Sequence, residues 1–174
     1  MICKNDHELP KIKRLYVSSF PDDERIPYHR LVSMLGSTRV MHVYYEDGQF
    51  IGMTYIFLFR DIAYLGYIAV EEGMRGKGLG TSILNMLCDM YPAYRVAIDI
   101  EEPDAEADNA QERIKRRDFY VANRFEGTGI FYRFYHVDYE ILSRNGSITK
   151  GEWQALIREH WGPFAKTAVY KEVS

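Results

Sequence analysis

Between Tyr64 and Cys88 the chain reads YLGYIAVEEGMRGKGLGTSILNMLC: a β-branched and aromatic run, then a glycine-rich turn, then apolar residues at helical spacing. The turn itself is Arg75-Gly76-Lys77-Gly78-Leu79-Gly80-Thr81. A strand that delivers such a turn to a helix start makes an anion site. The first N–H groups of a helix have no intrahelical partner, and the helix dipole adds partial positive charge there. Glycines let the main chain approach an anion closely, and Arg75 and Lys77 add charge, so phosphate oxygens are the expected ligands. Spacing excludes the two commonest phosphate loops. A nucleoside-triphosphate loop needs four residues between its first glycine and Gly-Lys-Ser/Thr, and GMRGKG from Gly73 lacks them. The dinucleotide fingerprint is G-x-G-x-x-G, whereas Gly76, Gly78 and Gly80 make G-x-G-x-G with no leading βαβ unit.

A second stretch carries carboxylates. Tyr94, Val96, Ile98 and Ile100 alternate with Arg95, Ala97, Asp99 and Glu101, a strand with two distinct faces, on which Asp99 and Glu101 share a side. The acidic run Glu101, Glu102, Asp104, Glu106, Asp108 reads either as a lure for a cationic acceptor or as a solvated loop before a helix. Arg113, Lys115, Arg116 and Arg117 read either as a phosphate contact or as a solvated helix face. None of the five histidines has a partner at metal spacing, so no metal is expected. Cys3 and Cys88 make neither a metal motif nor a disulfide framework, and Cys88 beside Leu84 and Leu87 reads as a small core residue.

These residues need elements to position them. Leu9, Ile12, Leu15 and Tyr16 make one face of a helix over Leu9–Phe20, ended by Pro21-Asp22-Asp23, and Tyr28–Leu35 reads as a second helix closed by Gly36. Val40–Tyr45 and Gln49–Phe59 are strands joined across Glu46-Asp47-Gly48, a hairpin signal. Ala63–Val70 is a third strand, leading into a helix over Leu79–Met90 that stops before Pro92. After the strand 94–101 come a helix over Asn109–Ala122 and strands over Gly127–His136 and Val137–Ser143. A last helix, Lys150–Trp161, is signalled by Ser147-Ile148-Thr149 before it and Gly162-Pro163 after it. This order predicts an α/β domain around one mixed sheet, with all 174 residues in a single domain.

Hydrophobic residues make up 47% and charged residues 27%, an ordinary globular balance. A net charge of -3 supplies no basic field for nucleic acid or anionic lipid. The chain has no apolar run of the roughly 18 residues that span a bilayer, and MICKNDHELP lacks a signal-peptide core, so the cytoplasm is the expected address. Fourteen tyrosines and nine phenylalanines fit an aromatic core or an amphipathic groove. Trp153 and Trp161 suit a core or a homodimer interface equally.

The glycine turn resembles the pyrophosphate motif of the GNAT superfamily of N-acetyltransferases, Q/R-x-x-G-x-G/A, with Arg75, Gly78 and Gly80 in its three fixed positions. The strand before it, the helix after it and the order of elements over nearly the whole chain match as well. Downstream, RIKRRDFYVANRF (113–125) resembles the N-x-x-A-x-x-F-Y-x-x-x-G-F motif through Phe119, Tyr120 and Phe125. It departs at Arg113, Arg116 and Arg124, which stand for asparagine, alanine and glycine.

The resemblance implies a mixed twisted sheet of about six to seven strands flanked by helices and splayed between the strands around 63–70 and 94–101. It implies acetyl-coenzyme A as cosubstrate in that V-shaped gap. The amides of Gly76, Lys77, Gly78, Leu79, Gly80 and Thr81, with Arg75, would hold its pyrophosphate, and the main chain of Ile68, Ala69 and Val70 would pair with the pantetheine arm. Asn109 is the candidate substitute for the missing motif asparagine. Tyr120 would protonate the departing thiolate. The family often carries a glutamate on the strand before the turn, but Tyr64, Gly66 and Ile68 are not carboxylates, and Glu71 and Glu72 read as turn caps. Glu101 is therefore the candidate base for the acceptor amine, with His29 and His136 as alternatives and a solvated strand-end carboxylate as the other reading. The acceptor is expected to be a small-molecule amine or a peptide amine, without nucleic acid or membrane as partner. Two rivals stand beside this: an acyl-coenzyme A sensor without turnover, and an enzyme for a longer acyl donor or a protein N-terminus, its pocket lined by Gly129–His136.

Overall fold

The computed structural model describes residues 9–22 and 25–171; Cys3 and Asp23 lie outside the described residues. The elements in chain order are α1 (Leu9–Ser19), α2 (Tyr28–Ser33), β1 (Arg39–Glu46), β2 (Gln49–Phe59), β3 (Ile62–Val70), a 3₁₀ turn (Glu72–Met74) and α3 (Leu79–Met90). They continue with β4 (Arg95–Glu101), α4 (Ala110–Ala122), β5 (Glu126–Phe134), β6 (Val137–Arg144), α5 (Lys150–Trp161), a 3₁₀ stretch (Gly162–Thr167) and β7 (Val169–Tyr170). The seven strands form one mixed sheet in the order β1-β2-β3-β4-β6-β5-β7. The short β7 and the 3₁₀ stretch before it extend the expected pattern, and α2 ends at Ser33 rather than Leu35. None of the helices in the described residues is long and apolar enough to cross a membrane.

The chain divides into two compact units: Met1–Leu58 with Leu65–Pro92, and Phe59–Tyr64 with Ala93–Ser174. In the first, Asp47 (φ 49°) and Gly48 (φ 77°) are both left-handed, the backbone of a tight hairpin turn whose twist suits the flanking strands. β1 and β2 pair from Glu46↔Gln49 to Arg39↔Phe57. β2 is buried over most of its length, which is why it reads as a continuous apolar run instead of alternating. One cluster packs Ile12, Leu15 and Tyr16 of α1 and Leu31 of α2 on Val43, Met53 and Tyr55. Another packs Leu79 and Ile83 of α3 on Tyr44 and Ile51. Cys88 is buried on α3, the core position its neighbours implied.

In the second unit β3 pairs with β4 in parallel through Ile62↔Arg95, Ala63↔Val96 and Tyr64↔Ala97. The register ends there, at the strands for which a splay was expected. β4 pairs along its length with β6, from Val96↔Arg144 to Glu101↔Tyr139, and β5 pairs with β6 and with β7. Helix α5 begins with a reciprocal cap: Thr149 Oγ1 accepts from Glu152 N (3.3 Å), and Glu152 Oε2 accepts from Thr149 N (2.9 Å). Arg95 ties the start of β4 to its surroundings, with two bonds to Asp61 (2.8 and 2.9 Å), one of 2.7 Å to Glu152 and one of 2.8 Å to the Ser147 carbonyl. Trp153 is fully buried with its ring edge-on to Tyr64 at 5.3 Å, so it belongs to the core and not to an interface.

Candidate active site

The glycine turn is built to offer backbone N–H groups. Gly76 (φ 77°) and Gly78 (φ 78°) are left-handed, a conformation that side chains disfavour, and a Cβ added at either would meet nothing within 4 Å. Gly78 is the N-cap of α3 and supplies no side-chain cap, and the first backbone bond into the helix among the described residues is Ser82 N to the Gly78 carbonyl at 3.1 Å. Arg75, Gly76, Lys77, Gly78 and Thr81 are exposed, while Leu79 is buried and anchors the helix start. Arg75 Nε donates to the Val70 carbonyl at 3.1 Å, fastening the turn to the end of β3. Lys77 Nζ lies 3.8 Å from Met74 Sδ.

Just before the turn, Ala69 is buried and Ile68 and Val70 are half-buried. Gly52 permits β2 to pass here: a Cβ on it would sit 2.4 Å from the Ala69 carbonyl oxygen and 2.9 Å from Ile83 Cδ1. A depression of about 620 Å³ includes Lys11, Arg14, Glu71, Gly73 and Met74 but none of Gly76–Thr81.

Glu101, at the end of β4, is 8% exposed and heavily engaged. It pairs with Arg113 Nη2 (2.9 Å) and Arg116 Nη1 (3.1 Å) and accepts from Asn109 Nδ2 (3.2 Å). Arg113 also donates to Asn109 Oδ1 (2.7 Å) and to the Glu102 carbonyl (3.2 Å). Two of the three arginines that depart from the family motif, Arg113 and Arg116, therefore lock the β4–α4 connection. An amine proton arriving at Glu101 would weaken these bonds, and both ends of the Asn109 amide are occupied within the chain.

Tyr120, on α4, is 4% exposed, with its ring between those of Phe119 (5.2 Å) and Phe125 (5.4 Å). Burial raises its phenol pKa, partly offset by Arg116, so the hydroxyl stays protonated at neutral pH and is a proton donor. The charge of Asp99 adds to the rise.

Asp99 is the residue that sequence reasoning passed over. It is partly exposed, and each carboxylate oxygen accepts from one phenol: Oδ1 from Tyr64 (2.8 Å) and Oδ2 from Tyr132 (2.5 Å). Burial raises its pKa, against the lowering effect of the two hydrogen bonds. The strand alternation put Asp99 and Glu101 on one face; the missing signal was which of them α4 would cover with arginine.

His29 and His136 are both exposed. Within the charge runs, Glu102 pairs with Lys171 (2.5 Å) and Arg117 with Glu140 (2.8 Å). No group of three or more His, Cys, Asp or Glu that could hold a metal occurs among the described residues.

The fold and the turn define an acyl-transfer class, and comparison with known proteins agrees. The sequence model of the Acetyltransferase (GNAT) family matches residues 9–120. The chain belongs to that family and is an N-acetyltransferase by that membership. No curated protein matches its sequence. Among solved structures, a GNAT-family protein from Bacteroides thetaiotaomicron superposes with a TM-score of 0.76 at 16% identity, over 95% of this chain and 96% of that one. The ribosomal-protein-S18-alanine N-acetyltransferase of Escherichia coli gives 0.62 at 18% identity, covering 83% and 92%. An aminoglycoside 6'-N-acetyltransferase complexed with coenzyme A gives 0.64 at 12% identity, covering 80% and 91%.

Proposed function

We propose that this enzyme moves the acetyl group of acetyl-coenzyme A onto a primary amine by direct attack on the thioester. The observation that carries the reading is the uncapped, left-handed turn at Gly76 and Gly78, delivered by β3 to the buried first turn of α3. The donor's pyrophosphate oxygens accept from the amides of Gly76–Thr81, and Lys77 adds charge. The pantetheine arm lies along the main chain of Ile68–Val70. Tyr120 donates its phenolic proton to the departing thiolate, a role suited to a buried phenol that stays neutral. Holding both reactants in place supplies much of the rate, so loss of one proton-transfer group lowers turnover without abolishing it.

The acceptor is a primary amine on a small molecule or a peptide; the aminoglycoside and ribosomal-protein enzymes of the same fold exemplify both kinds. The test is release of coenzyme A thiol from acetyl-coenzyme A across a panel of aminoglycosides, polyamines, amino acids and peptides. Turnover with one acceptor class is expected, with kcat lowered roughly 10- to 100-fold in Tyr120→Phe. Coenzyme A binding with no turnover on any acceptor would instead identify a sensor.

A further inference from the structure

The buried and half-buried carboxylates on β4 and β6 fall into two kinds. Glu101 and Glu140 are each neutralised by arginine, through Arg113 and Arg116 in one case and Arg117 in the other. Asp99 makes no ion pair among the described residues; its donors there are the hydroxyls of Tyr64 and Tyr132 and its own backbone N–H. All of these donors are neutral, so no cation among the described residues compensates the negative charge. A carboxylate withdrawn from water is costly without a cation, and the cost is tolerated most readily where a cation is to be received.

The surroundings suit one kind of cation. Tyr132 is fully buried, stacked on Tyr139 at 5.3 Å and tilted against Tyr170 at 5.7 Å. Tyr64 is held edge-on by Trp153 (5.3 Å) and His160 (5.4 Å). These contacts hold both phenol rings, so the carboxylate is oriented before any ligand arrives, and the aromatic cluster that carries the two hydroxyls suits an ammonium on an apolar stem. Part of Asp99 still reaches solvent.

We propose that Asp99, held by Tyr64 and Tyr132, seats the primary ammonium group of the acceptor and takes its proton. This rests on the acetyl-transfer reading above and names the residue that prepares the nucleophile. One N–H bond of the ammonium breaks and its proton passes to Asp99. The freed nitrogen lone pair forms a bond to the thioester carbonyl carbon. As the adduct collapses, the C–S bond breaks with its electron pair on sulfur, and nitrogen loses a second proton to solvent. Tyr120 protonates the thiolate and is reprotonated by solvent, and Asp99 returns its proton, so one proton is released per amide formed.

The experiment is an NMR titration of wild type and Asp99→Asn with n-butylammonium chloride, with n-pentanol as neutral isostere and coenzyme A binding measured in parallel. Asparagine keeps the shape and an acceptor oxygen but removes the charge. Wild type should show saturable butylammonium shifts at the ring signals of Tyr64 and Tyr132, and Asp99→Asn should bind butylammonium roughly tenfold or more weakly. Pentanol and coenzyme A should bind alike in both proteins. Equal butylammonium affinity in the two, or identical wild-type shifts with pentanol, would overturn the assignment. If the variant does not fold, the wild-type titration decides: ammonium-specific shifts at Tyr64 and Tyr132 support it, and shifts elsewhere or none refute it. Failure of wild type to bind coenzyme A would sink the acetyl-transfer reading, whereas loss of the ammonium response with normal coenzyme A binding sinks Asp99 alone.

Discussion

Arg113 and Arg116 set apart the two carboxylates of β4: both pair with Glu101 and neither pairs with Asp99. In the sequence they look like departures from a family motif, a lost asparagine and a lost alanine. In the structure they close on Glu101, two residues along the strand from Asp99. Strand alternation is legible from residue types, but the partner of each side chain depends on how α4 returns across the strand end, and no local pattern encodes that. Glu101→Gln should accordingly act on stability. Breaking a buried, doubly paired carboxylate costs about 3 kcal/mol, seen as a lower midpoint of thermal unfolding. A kcat loss of roughly 100-fold with an unchanged midpoint would instead restore Glu101 as the base. The glycine turn was legible in full, because the left-handed positions Gly76 and Gly78 demand the residue type that marks them.

Among the elements, the signals that local chemistry writes were the readable ones. The Asp47-Gly48 hairpin and the ends of α5 stand where their turn and cap residues placed them. Long-range fits were not readable. Gly52 looks like an ordinary strand glycine, yet the Ala69 carbonyl lies 2.4 Å from where its Cβ would be. Gly52→Val should push on Ala69 and on Ile83 of α3, destabilise the fold by about 1–3 kcal/mol and weaken coenzyme A binding with it; an unchanged unfolding midpoint would contradict the close approach. The α5 cap has a pH signature. The Arg95 guanidinium, with help from Thr149, holds the Glu152 carboxyl at about 2 against an ordinary 4.5. A depressed carboxyl pKa stabilises the fold fully above the unfolded value and loses that contribution as pH falls through the folded one. The stability deficit of Glu152→Gln should thus be constant above pH 4.5 and shrink as pH falls toward about 2, measured by denaturant unfolding across that range. A deficit independent of pH would remove the Arg95–Glu152 pair from the account.

At the scale of the whole molecule, the number of strands and their alternation with helices follow from period and turn residues, but the order of the strands does not. Local pairing joins β5 to β6, and nothing local says that β6 rather than β5 lies beside β4, or that Val169 and Tyr170 add a seventh strand. The family resemblance implied a mixed sheet of about six to seven strands, and the sheet has seven. The central claim is that the turn from Arg75 to Thr81 is where the donor's phosphates bind. Calorimetric titration of coenzyme A into wild type and Gly78→Val, with folding of both verified by circular dichroism, tests it most directly. A valine is strained at φ 78° and would shift the turn that presents the amides, so wild type should bind and the variant's affinity should be at least about tenfold lower. Equal affinity in the two proteins would place the phosphates elsewhere and contradict it.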